Sequence, residues 1–189
     1  GITMAFSVFE STNMRAVHYA ERIFDCVIDE QVENGTFGYF EELAGGESHI
    51  YKFVKGVKEG ADVFVANNPA WNIDECRIVN QRRDQYVIPA GMPFRAFGVE
   101  KMDEFGITIE GISEATRSVV EGVTDFSATP VYLTIGADGK LVASTSKTDG
   151  AVMEAQIMRK RMVGANLVTP AREVGGGYVM YEAKINVLA

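Results

Sequence analysis

Positive charge is scarce in this chain. Lysine and arginine number 18 against 26 aspartates and glutamates, a formal net charge of −8 over 189 residues. A surface of that sign repels phosphate backbones unless its cations are gathered locally. The only dense basic cluster is Arg159-Lys160-Arg161, with Arg82-Arg83 as a weaker second. Both lie inside apolar patterns, where charges read as solvated faces of structured elements, so no nucleic-acid partner is expected. Cysteine is sparse as well: Cys26 and Cys76 stand alone, without a CxxC spacing or a second pair. Lone cysteines in a chain of this size read as small buried hydrophobes of a reducing compartment, and a single disulfide stays open because spacing does not measure distance. No apolar run approaches the roughly 20 residues that cross a bilayer. The first residues lack the basic region and apolar stretch of a signal peptide, and Phe6 stands where a myristoylation motif carries Ser or Thr. Intracellular synthesis without a membrane partner is the expectation.

Histidine is nearly absent, and that limits the chemistry. His18 and His49 are the only two, neither spaced at i+3 or i+4 from a second His or Cys, whereas zinc sites need three or four converging donors. No metal and no cofactor are expected. Ser48 precedes His49 directly, but neighbours on a strand point to opposite faces, and the G-x-S-x-G elbow is missing. Acidic pairs such as Glu41-Glu42, Asp74-Glu75 and Asp103-Glu104 are what any acidic protein offers, and they read as solvated faces rather than a glycosidase pair. Asp138-Gly139 lacks the alternating acids of a calcium loop. Gly175-Gly176-Gly177 precedes an apolar run, whereas a phosphate-binding loop follows a strand and opens a helix. The aromatic set Phe37, Tyr39, Phe40, Tyr51, Phe53 and Phe64 reads as core before it reads as a stacking platform.

What the chain does have is the composition of a folded protein, 47% hydrophobic and 23% charged, arranged as short β-rich runs separated by turns. Residues 22–28, 36–40, 49–53, 61–66, 94–99, 105–110, 130–135, 140–144 and 178–188 read as strands. Asn34-Gly35 predicts a hairpin between the first two of these, and Asp138-Gly139 is the clearest hairpin signal in the chain. Residues 72–85 predict a short helix behind Asp74. The passage 86–93, with Pro89, Gly91 and Pro93, predicts an extended turning path of the kind found at barrel corners. Residues 151–162 are open between strand and helix. Residues 1–20 carry Met4, Phe6, Phe9 and Met14 without a helical period and predict an extended arm, lying either on its own domain or on a neighbour. The expected fold is mainly β: a small β-barrel or sandwich domain over residues 21–189 with one or two short helices and an extended N-terminal arm.

The run Asn68-Pro69-Ala70-Trp71, continued through Asn80-Gln81-Arg82-Arg83-Asp84-Gln85-Tyr86-Val87-Ile88-Pro89-Ala90-Gly91-Met92-Pro93-Phe94-Arg95, resembles part of a family of tailed-bacteriophage structural proteins, the head-decoration or capsid-cementing class. The likeness extends through Asp103-Glu104-Phe105, Gly139-Lys140-Leu141-Val142-Ala143 and Ile157-Met158-Arg159-Lys160-Arg161, about two-thirds of the chain. The resemblance implies a virion protein, made in the host cytoplasm, that binds the major capsid protein on the outer head surface, stabilises it and self-associates as a symmetric homo-oligomer. It implies no enzymatic activity. On that reading the docking anchors are Phe6, Phe9 and Met14 of the arm, Trp71, and the basic Arg82, Arg83, Arg159 and Arg161, since Trp and Arg are enriched at interface hot spots. Two rival functions remain: a tail or baseplate component that contacts host glycans through its aromatics, and a carboxylate-pair glycan hydrolase.

Overall fold

The structure of the chain, a computed structural model, describes residues 6–18, 22–43, 49–68, 87–163 and 178–189. Within them run eleven strands and two short helices: β1 (Phe9–Glu10), α1 (Arg15–His18), β2 (Ile23–Val27), β3 (Phe37–Leu43), β4 (Ile50–Lys55), β5 (Phe64–Ala66), β6 (Phe94–Gly98), β7 (Glu104–Ile107), α2 (Arg117–Glu121), β8 (Tyr132–Ile135), β9 (Leu141–Ser144), β10 (Met153–Val163) and β11 (Tyr178–Leu188). The protein is mainly β, as its turn-punctuated apolar runs predict. No helix among the described residues is long and apolar enough to cross a membrane. The predicted helix over 72–85, and the glycine run 175–177, lie outside the described residues.

Five strands close into a barrel in the order β2-β4-β3-β5-β6, and six form an open sheet in the order β1-β7-β11-β10-β8-β9. The period of two along each barrel strand explains how both are buried at once. In β5 and β6, Phe64, Ala66, Phe94 and Ala96 point into the barrel, where they meet Cys26, Val32, Phe53 and Ile88. Their neighbours Val63, Val65, Phe97 and Val99 point outward, into a second core shared with Ile107, Leu133, Leu141, Ile157 and Ile185 of the sheet. Strands buried on both faces read as continuous apolar runs, and 61–66 is such a run. Aromatic rings fill the barrel: Phe40 stacks on Phe64 at 4.1 Å between centroids and on Tyr51 at 5.0 Å, with Phe24 edge-on to Phe40 at 5.8 Å.

The Asp138-Gly139 hairpin forms as expected, with Ile135 opposite Leu141 and Gly139 in the left-handed region at φ +80°. The 151–162 run resolves as strand, because β10 pairs with β11 along its whole length. The hairpin predicted around Asn34-Gly35 does not form. Gly35 does take a positive φ of 85°, but β2 pairs parallel with β4 and antiparallel with β6, while β3 pairs with β4 and β5. Residues 28–36 are too many for a two-residue reversal, and they are spent crossing the barrel instead. Val32 bridges to Ile88, the Gly35 N–H donates to the Ala66 carbonyl at 2.7 Å, and the Asn34 side chain bonds the backbone of Asn68 twice.

The described part of the predicted arm lies on its own sheet, extended along the sheet edge through β1 and then turning into the helix α1 rather than staying extended. β1 pairs with β7, the Val8 N–H donates to Thr108 Oγ1 at 2.9 Å, and the Thr108 N–H returns to the Val8 carbonyl. Beside this ladder the Ser7 hydroxyl is buried with no hydrogen-bond partner. An orphaned buried hydroxyl carries its desolvation cost uncompensated. Ser7→Ala is therefore expected to stabilise the protein by about 1 kcal/mol, read as a higher urea midpoint at constant slope. A lower midpoint would mean that the hydroxyl is satisfied in solution.

Candidate functional site

Each perturbed carboxylate of the described residues is already hydrogen-bonded within the chain. Asp103 is buried, and its two carboxylate oxygens accept the backbone N–H groups of Arg15 at 3.0 Å and Glu100 at 2.8 Å. It clamps the start of α1 onto the turn between β6 and β7. Burial pushes its carboxyl above the ordinary value, against the pull of those two N–H donors. A carboxyl raised in the folded state binds more protons there than in the unfolded chain. Its contribution to stability is therefore present below the ordinary carboxylate pKa and is lost as pH rises through the folded one. Asp103→Asn keeps one acceptor oxygen for two donors and is expected to cost about 1–3 kcal/mol. The deficit against the wild type should shrink as pH rises through that window, which denaturation midpoints across a pH series would read; a deficit independent of pH would refute the assignment.

Glu42 is held below its usual range by a hydrogen bond from Lys52 at 2.9 Å. Cys26 is a free thiol inside the barrel, where burial pushes it far from the thiolate form. Its relation to Cys76 lies outside the described residues. Among the described residues no cluster of three or more His, Cys, Asp or Glu side chains is arranged to hold a metal ion. The aromatic set packs inward except for Tyr39: Phe37 lies in the shared core, Phe53 and Phe64 in the barrel, Phe40 and Tyr51 packed against them, and Tyr39 is half-buried with Lys58 over its ring.

The surface feature that stands apart is the hairpin ribbon of β10 and β11. Along β10 the neighbouring strand β8 covers only Glu154–Gln156, extended by the Ile157 N–H to the Val131 carbonyl. Along β11 the neighbour β7 covers only Tyr181–Lys184. Beyond these limits neither strand has a further strand partner among the described residues, although Met180 stays buried against Gly106 and Arg161 is bonded to Glu10 of β1. At about 3.3 Å per residue, residues 158–163 carry the ribbon roughly 20 Å past Ile157. A bulge between Ile157 and Arg159 inserts Met158 and sets the facing of the residues beyond it. One face carries Arg159 and Arg161, both bonded to the Glu182 carboxylate, with Arg161 also bonded to Glu10. The other continues the line of Ile157 and Ala183 outward through Lys160 opposite Tyr181 and Met162 opposite Val179. Met162 is 50% exposed, Met158 and Val179 37% each.

The candidates named from sequence fare unequally. Phe9 and Met14 are 0% and 1% exposed in the chain's own core, so they present no surface to a partner; their place in the docking set is corrected. The reason is that β1 completes the edge of the sheet and Phe9 fills the space between Phe37 and Phe105. Phe6 is half-buried at the start of the described chain. Trp71, Arg82 and Arg83 lie outside the described residues. Arg159 and Arg161 are brought together on the ribbon, and Met158, Lys160, Met162 and Val179, which were not among the expected anchors, join them. Their facing and exposure are set by the bulge at Met158 and by the end of β8, which a reading of 151–162 as strand or helix does not contain. No family model matches the sequence, and no curated protein and no solved structure matches it significantly.

Proposed function

We propose that this chain is a non-catalytic docking protein of a tailed-phage head, which binds the major capsid protein on the outside of the assembled shell and stabilises it. The observation that supports this reading is the outer part of the ribbon, where exposed Met158, Met162 and Val179 stand among Arg159, Lys160 and Arg161 on a chain of net charge −8. Exposed apolar side chains grouped with arginine are what interface centres are made of. A cationic patch on an acidic body orients the approach, because the body is repelled from an acidic surface that the ribbon is drawn to. A docked copy burying about 1,200–2,000 Å² favours the assembled lattice, and preference for the mature shell stabilises that state by linkage. Self-association into a symmetric oligomer at the head surface belongs to the same proposal.

The test is sedimentation of purified chain with empty heads assembled without it. Saturable binding at a fixed ratio to the major capsid protein is expected, weakening as salt screens the ribbon. Complete absence of binding overturns the proposal and transfers the assignment to a tail or baseplate component.

A further inference from the structure

We infer that the outer edge of β10 is a strand-addition site that receives an extended, acidic segment of the docking partner; the inference rests on the docking proposal and names the contact by which it is made. The backbone directions follow from the register. The N–H and C=O of Ile185 are bonded on the β7 side, to Asp103 and Met102. By the alternation of a strand, Glu182, Met180 and Tyr178 then turn their backbone groups toward β10. Their partners Arg159, Arg161 and Val163 answer them. Lys160 and Met162 are left with N–H and C=O directed away from β11, on the side that β8 has already vacated. An edge of this kind is a template for another strand.

The charge on the edge selects what can lie there. Arg159 and Arg161 are engaged by Glu182, and Arg161 also by Glu10 of β1, which leaves the positive charge in excess at Lys160, an exposed residue of the edge. Pairing β10 antiparallel with a second β10 in register about Lys160 would set two lysines opposite one another, which is unfavourable. A strand with Asp or Glu beside apolar residues pairs with both Lys160 and the flanking Met158 and Met162. Charged edge residues also serve to discourage indiscriminate strand pairing, and here the same charge admits acidic strands selectively.

The experiment is amide hydrogen exchange on the full chain, free and bound to empty heads assembled without it, read over the peptide covering 158–163. The expected result is slower exchange there in the bound state. In parallel, Met162→Pro removes the outward N–H, a change that edge strands tolerate, and Met162→Ala removes the side chain alone. The proline variant is expected to bind heads about tenfold more weakly than the alanine variant. Binding with unchanged exchange over 158–163, or equal binding of the two variants, overturns strand addition and leaves the docking proposal standing. Protection of this segment in a self-associated free chain overturns the acidic-partner assignment in favour of a second copy. Failure of the wild type to bind heads overturns the docking proposal and the inference with it.

Discussion

Phe9→Ala is expected to remove about 3–5 kcal/mol of folding stability, the range for deleting a fully buried aromatic ring. Phe9 is 0% exposed, lies 5.4 Å from Phe105 in a near-parallel stack and meets Phe37 edge-on at 6.1 Å. Its backbone is tied to Ile107 through the β1–β7 pairing. The cavity left behind sits between the sheet and the outward face of the barrel strand β3, where neither can move in without breaking its own ladder. Set against the roughly 5–15 kcal/mol typical of a whole domain, the loss is a large share of the total. Urea denaturation measures it directly. The outcome also decides what the N-terminal segment is for. A Phe9 that served as a docking anchor would leave stability unchanged on truncation and weaken binding instead, and that result would refute the core assignment.

The second large effect is expected at Gly139, which joins the barrel to the sheet. The residue sits at φ +80° in the turn between β8 and β9, and its carbonyl accepts the Phe37 N–H at 2.9 Å. A Cβ placed there would lie 2.6 Å from Thr36 Cγ2 and 2.7 Å from the Phe37 carbonyl oxygen. The left-handed conformation alone costs a non-glycine residue about 1–2 kcal/mol, and forcing apart a packed seam adds about 1–3. Gly139→Ala should therefore destabilise by about 2–5 kcal/mol. Gly60 supplies the control, since its φ is +83° and an added Cβ would meet nothing within 4 Å, so Gly60→Ala should carry the conformational cost only. Equal losses in the two variants would mean that the seam yields freely and that the contact with Thr36 and Phe37 is unimportant.

Much of this architecture is legible along the chain. The terminal strand 178–188 coincides with β11, and the hairpin at Asp138-Gly139 lies where its dipeptide predicts. Both signals are local: an alternating pattern, and a residue that enters the left-handed region cheaply. Gly35 shows the limit of the same logic. Its dipeptide correctly marks a positive φ, yet its N–H is bonded to Ala66 and the flanking strands are not partners. A turn signal reports backbone conformation at one position, and says nothing of where the chain goes several residues on.

The exposed surface of the ribbon was half visible for a related reason. Arg159 and Arg161 stand out in a chain poor in cations, whereas Met158 and Met162 look like any other apolar residues. Their exposure depends on β8 ending opposite Gln156 and leaving β10 to continue, and on the bulge that resets the facing of the strand. The burial of Phe9 and Met14 was equally hidden, since an apolar segment fits its own sheet edge and a neighbour's alike until a vacant edge is seen.

The order of residues by itself determined the class of the fold, the two glycine-bearing turns and the place of most strands, because these depend on interactions within a few positions of sequence. The tertiary structure alone decided that β2 lies parallel to β4, that barrel and sheet share one core through alternate residues of β5 and β6, and that β10 outruns its neighbour. Each of those outcomes is a competition between distant segments for the same apolar surface, and its winner is set by how the whole chain packs.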